Sequence, residues 1–149
     1  MCLIVDANRF GDFLDEDAPD SQPIWDWLKR RGGCLVLGGS KYQTEIEKSP
    51  HTVARFAELK RSGRVASVPS SAVDARHVEL EASGALRSDD PHVIALAAVS
   101  GARTLYSFDD ALIDDFRDKK LIDEPRGKVY KRAEHRHLLG HTRGCRRPV

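Results

Sequence analysis

Apolar residues along this chain fall into two kinds of pattern. Short unbroken runs stand at Leu3–Val5, in "CLVLGG" (34–39), in "RVASVP" (64–69) and in "RTLYSF" (103–108). Continuous runs bounded by turn residues predict strands buried on both faces. Between them lie longer segments with helical spacing. "SQPIWDWLKRRG" predicts a helix with Ser21 as N-cap, Pro23 in its first turn, Ile24, Trp27 and Leu28 on one face, and Gly32 and Gly33 as its stop. "SKYQTEIEK" predicts a short helix capped by Ser40. "HTVARFAELKRSG", "SSAVDARHVELEASG", "DDPHVIALAAVSG" and "DALIDDFRDK" predict four more; the third has an acidic cap, a proline near its start and Gly101 at its end. After Ile122, "DEPRGKVYK" predicts a last strand and "AEHRHLLG" a short helix.

Strands alternating with helices predict an α/β fold with a parallel sheet covered on both faces. Residues 1–122 form the domain and 123–149 its basic C-terminal extension. Trp25 and Trp27 are two apart and cannot share a helix face, so one is expected in the core and the other at an interface.

Composition refines this picture in few places. A chain of 149 residues with 40% hydrophobic and 32% charged residues fits one domain with a real core and excludes wholesale disorder. The net charge of +1 names no partner. Its distribution is uneven: from Arg126 to Val149 eight Arg or Lys stand against one acid, Glu134. Such an end is either a solvated tail or a contact surface for a polyanion. Cys2, Cys34 and Cys145 have no zinc-like spacing, and the first two lie in apolar runs as small core residues. "MCLIVDANRF" turns acidic too early for a signal peptide, and no apolar run nears the roughly 20 residues of a membrane helix. A reducing, cytoplasmic setting without membrane contact is expected.

The chemistry lies in the acids. Asp6 ends the first strand, Glu45 lies on the helix after the second, Asp90 opens the helix before the fourth, and Asp109 follows the fourth. In open α/β sheets ligands bind outside the carboxyl ends of the strands, where these four can meet. Each has an ordinary explanation: Asp90 as a helix cap, Glu45 as an i,i+4 partner of Lys41. Asp6 resists one, because an acid ending a buried strand needs a partner. Carboxylates gathered together repel unless a cation neutralises them, and an all-oxygen set suits Mg²⁺ or Mn²⁺. Two such ions about 3.5–4 Å apart cleave phosphodiesters. "VLGGS" lacks a phosphate-loop form and reads as a tight turn, and "DAN" lacks the second aspartate of a haloacid-dehalogenase-like phosphatase.

"LIVDANRF", "KYQTEIEK", "SDDPHVIALA" and "TLYSFDDAL", in this order over about residues 1–118, resemble the PIN domain, a family of metal-dependent ribonucleases, and their spacing is similar to that of VapC-type toxins. The resemblance implies a three-layer α/β/α sandwich with a central parallel sheet. It implies that Asp6, Glu45, Asp90 and Asp109 bind Mg or Mn and form the catalytic set, supported through hydrogen bonds by Asn8 and by Ser107, which stands where threonine is commoner. The doubled acids leave each late position open by one residue; Asp90 aligns with "PHVIALA" and Asp109 directly follows "SF". Asp110, Asp114 and Asp115 are candidates for a further contact to a second metal. The implied reaction is attack of metal-activated water on an RNA phosphodiester, leaving a 5′-phosphate and a 3′-hydroxyl. His92 is expected to pack rather than to act as an acid. Lys41, Arg126, Lys128, Lys131 and Arg132 are the candidate RNA contacts. Implied partners are the RNA substrate, an antitoxin protein and a second copy in a homodimer. The alternative is a PIN-like module that binds RNA or a partner through its basic end without chemistry.

Overall fold

The computed structural model describes residues 2–123 and 125–140. Five strands, β1 (Cys2–Val5), β2 (Cys34–Leu37), β3 (Val65–Ser67), β4 (Thr104–Tyr106) and β5 (Lys128–Tyr130), form one sheet in the order β3-β2-β1-β4-β5, with every neighbouring pair parallel. Helices α1 (Phe10–Leu14), α2 (Gln22–Arg30), α3 (Ser40–Glu47), α4 (Pro50–Arg61), α5 (Ser70–Ser83), α6 (Pro91–Ser100) and α7 (Asp110–Arg117) flank it. The result is the expected three-layer α/β/α sandwich. Leu3, Ile4, Val36 and Leu105 are completely buried, which only a sheet covered on both faces allows. Pro91 to Ala97 of α6 are all buried as well. That is why this helix shows no polar stripe in sequence: it is enclosed all round, with α5 packed along it.

Among the described residues, no helix is long and apolar enough to cross a membrane. Cys2 and Cys34 are buried, as their apolar runs predict. β5 comes from the C-terminal extension and completes the sheet beside β4. The extension is tied back at Asp20, whose backbone carbonyl accepts from the Tyr130 hydroxyl (2.6 Å) and whose Oδ1 accepts from the Ala133 N–H (3.0 Å). Arg143, Arg146, Arg147 and Cys145 of the basic end lie outside the described residues.

Three local expectations are corrected. A 3₁₀ turn at Ala7–Arg9 and helix α1 occupy a stretch whose pattern predicts no element. Only Phe10 and Phe13 of α1 are buried, too short a period to register beside Gly11 and Asp12. Both tryptophans are core residues. Trp25 stacks on Phe13 with centroids 5.0 Å apart and donates its Nε1–H to the Phe13 carbonyl (2.6 Å), while Trp27 lies over Gly33, where any Cβ would meet the indole at 2.3 Å. The unpredicted α1 and the C-terminal 3₁₀ segment (Ala133–Gly140) both pack near α2, so α2 has two apolar faces rather than one. The predicted serine caps act elsewhere. Ser21 gives its hydroxyl to the Asp12 carbonyl (2.7 Å). Ser40 is the first residue of α3, and the Asp74 carboxylate from α5 accepts from its N–H (2.8 Å) and its hydroxyl. Gly39, at φ +95°, makes the turn into α3 that "VLGGS" predicts.

The connection from β1 to β2 steps to one side of β1, and β4 lies on its other side. The strand order therefore reverses between β1 and β4, and the crevice at their carboxyl ends is where such sheets bind ligands.

Candidate metal centre

Asp6 leaves β1 at that crevice. Its N–H still bonds the Tyr106 carbonyl of β4 (2.9 Å), so the backbone is held in register while the side chain turns inward, 3% exposed. Ser107, the residue after β4, donates its hydroxyl to Asp6 Oδ2 (2.7 Å) and accepts from the Asp109 N–H (3.0 Å). One buried hydroxyl thus fixes two of the four acids, in the supporting position expected for it. Asp109 also caps α7, accepting from the Leu112 N–H at 3.2 Å. This leaves its second oxygen uncommitted by that cap.

Glu45 arrives on α3. Tyr42, one turn earlier, is buried and donates its hydroxyl to the Val5 carbonyl (2.5 Å), fastening α3 to the end of β1. Burial first, then the charges of Asp6 and Glu45, hold the Tyr42 phenol well above its ordinary range, so it stays a donor. Asp90 stands at the N-cap position of α6, but its side chain makes no capping hydrogen bond. The ordinary explanation for an acid at a helix start does not apply to it. Glu45, in turn, has His92 as its partner: Oε1 lies 2.5 Å from Nε2. Among the described residues Lys41 makes no ion pair with Glu45; its charge acts instead on the Asp90 carboxylate.

Electrostatics joins the four acids into one group. Asp6 is pushed up to about 6, chiefly by burial, with Asp90, Glu45 and Asp109 adding to the rise and the Ser107 hydroxyl opposing it. Asp90 is raised by burial, then by Glu45 and Asp109, against the pull of His92 and Lys41. Ligand atoms of Glu45, Asp90 and His92 lie within 4.8 Å of one another, a spacing that fits a single cation. This group holds two carboxylates and one imidazole nitrogen, so it departs from the all-oxygen set the sequence predicts, and Asp6 and Asp109 are not part of it.

The doubled acids separate. Asp90 faces the cluster, while Asp89 is exposed beside Leu86 and Gly84 on another surface. Asp109 faces it, while Asp110 is exposed and lies 3.9 Å from Lys131 Nζ. Of the candidates for a second-metal contact, Asp115 is corrected, while Asp110 and Asp114 lie on the surface. Asp115 is completely buried and accepts from the N–H groups of Arg87 (3.0 Å) and Ser88 (2.9 Å) and from the Arg87 guanidinium (3.2 Å). It holds the loop that delivers Asp90. Asn8 is exposed and, among the described residues, makes no hydrogen bond to the four acids.

The basic candidates also divide. In a parallel sheet all strand starts lie at one edge and all ends at the other. Arg126 and Lys128 sit at the start of β5, away from the acids, and Arg126 is engaged with the Arg117 carbonyl (2.9 Å). Lys131 and Arg132 follow the end of β5, on the same edge as the acids.

His92 and Tyr42 are the site residues that sequence reasoning left aside. His92, 2% exposed, is the missing partner of Glu45, and its Nδ1 is buried without a hydrogen bond. The signal lies in "DDPHV": an imidazole two residues past a candidate ligand aspartate, in the buried first turns of the same helix. Nothing in "KYQTEIEK" marks Tyr42 as an anchor except its i,i+3 spacing from Glu45.

Comparison with protein-family models, curated proteins and solved structures gives no match to this chain.

Proposed function

We propose that this chain is a metal-dependent endoribonuclease of PIN type. The observation that carries the reading is the convergence of Asp6, Glu45, Asp90 and Asp109, from four separate segments, on the crevice between β1 and β4. Asp6 is held up to about 6, first by its burial and then by Asp90, Glu45 and Asp109, and a cation at the crevice would relieve both. Asp6, Glu45, Asp90 and Asp109 would hold Mg²⁺ or Mn²⁺, which when bound supplies an activated water and neutralises charge on the scissile phosphate.

The chain's own residues have defined parts in this reading. Ser107 orients Asp6 and Asp109 through one hydroxyl. His92 orients Glu45, and Tyr42 holds the helix that carries it. Asp115 fixes the loop before Asp90. Lys41, Lys131 and Arg132 stand near the acids and contribute phosphate contacts. The alternative is a module that binds RNA or a partner through Arg126, Lys128, Lys131 and Arg132 without chemistry, and its RNA binding would survive loss of the acids.

The test is cleavage of labelled single-stranded RNA with Mn²⁺, with EDTA, and by Asp6→Asn and Asp90→Asn proteins. Cleavage that needs the metal and both acids is the expected result; variants as fast as the parent would sink the reading. In its finer form, the chain is a toxin restrained by an antitoxin protein and acts as a homodimer. Growth arrest on induced expression of the parent, and none with Asp6→Asn, is the corresponding outcome.

A further inference from the structure

Among the described residues only three large apolar side chains are exposed: Val53, Val78 and Phe108. Phe108 is the sole aromatic among them, at 42% exposure. It stands in sequence between Ser107 and Asp109, two residues of the acidic crevice. Single exposed apolar residues are ordinary on protein surfaces and need no explanation by themselves. Phe108 differs in how it is held. The Arg9 guanidinium lies over its ring, 3.9 Å from the centroid, and Tyr106 meets it edge-on with centroids 6.4 Å apart. Tyr106 is itself buried and packed edge-on against Tyr130.

One face of the ring is thus covered by the Arg9 guanidinium and Tyr106 packs nearly perpendicular to it, while 42% of the residue stays exposed. Arg9 is fixed in turn by an ion pair with Asp12, and its own exposure is small. This backing is positively charged, as suits a site whose proposed substrate is an anion. A flat, immobilised π face next to a phosphate-handling centre is the feature by which proteins grip single-stranded nucleic acid independently of sequence.

We propose that Phe108 is a stacking platform for one nucleobase of single-stranded RNA, holding the nucleotide beside the phosphate that meets the acidic centre. The proposal rests on the ribonuclease reading above. Arg9 is the positioning residue: its guanidinium holds the ring.

The test separates the two. Binding of a fluorescent single-stranded oligoribonucleotide is measured in the Asp6→Asn background with Mg²⁺, for Phe108, Phe108→Ala, Phe108→Leu and Phe108→Trp. Loss of a stacked base by alanine substitution weakens binding on the order of 10- to 100-fold. The expected result is that loss for Ala, a comparable loss for Leu, and retention for Trp. In the cleaving protein, Phe108→Ala raises KM for RNA and leaves kcat unchanged, a split that general damage to Ser107 and Asp109 would not give. Unchanged binding by Phe108→Ala, full affinity in Phe108→Leu, or no RNA binding by the Phe108 protein overturns the platform. Phe108-dependent binding in a protein that cleaves no RNA supports the platform and removes the nuclease. Cleavage with binding indifferent to Phe108 does the reverse.

Discussion

Replacing Asp6 by Asn should abolish metal-dependent activity and stabilise the metal-free protein. The side chain is 3% exposed, and its folded-state pKa is about 6 against an ordinary 3.8. Below pH 3.8 the carboxyl is neutral in both folded and unfolded chains; above about 6 it is charged in both. Between them the unfolded chain releases its proton first, so folding loses stability as pH rises through that window. At about 1.4 kcal/mol per tenfold, the full cost is about 3 kcal/mol at neutral pH, and about 1 kcal/mol near pH 4.5. Asn carries no charge to desolvate, and its carbonyl still accepts from Ser107. For a chain of this length about 3 kcal/mol corresponds to roughly 6–12 °C in Tm. Urea unfolding of parent and variant in EDTA, near pH 4.5 and 7.5, reads this directly. The advantage of Asn grows with pH, and millimolar Mg²⁺ or Mn²⁺ reverses it by stabilising the parent alone; metal at a hundredfold its Kd contributes about 2.7 kcal/mol. Equal stabilities at neutral pH, or an advantage that does not change between the two pH values, would refute the electrostatic reasoning. A parent indifferent to both metals would refute the preformed site.

Three further outcomes follow from the same geometry. Ser107→Ala removes the hydroxyl that lowers Asp6, so the pH midpoint for metal binding, followed by thermal shift against pH, moves upward from that of the parent. Asp115→Ala leaves the Arg87 and Ser88 N–H groups without their buried acceptor; a loss of about 2–4 kcal/mol in urea unfolding is expected, with reduced RNA cleavage because Asp90 lies on the same loop, and a smaller loss in Asp115→Asn. Neutralising Lys131 and Arg132 weakens RNA binding and flattens its salt dependence, while neutralising Arg126 and Lys128 leaves both as in the parent, measured by anisotropy across a salt series.

Much of this architecture is legible in sequence because its signals are local. "CLVLGG" and "RTLYSF" can bury their unbroken apolar runs only in a sheet covered on both faces, and the intervening helical periods supply the covers. The elements that escape are those whose reason is distant. α1 exists because Phe13 has Trp25 to stack on. Ser40 looks like a cap until Asp74, on another helix, takes both its donors. A serine, an acid or a tryptophan has the same local appearance whichever partner the fold brings to it.

The acids illustrate this most sharply. From the chain alone, Asp90 and Asp109 are preferred to Asp89 and Asp110 only by their neighbours in sequence, and Asp115 is one more candidate ligand. The fold distinguishes them by what each oxygen is already doing. Asp115 is saturated by backbone N–H donors and has no capacity left for a cation. Asp110 reaches solvent and Lys131. Asp90, at a helix start, declines the capping bond that position offers. Asp6 accepts one hydroxyl and otherwise meets only like charge. A carboxylate whose hydrogen-bonding needs are met is structural. A buried one whose needs are unmet, such as Asp6, facing half-buried carboxylates with oxygens to spare, is a candidate for a ligand. By that criterion the acidic pairs at the two ends of the α6–β4 unit each divide into one member for the solvent and one for the site.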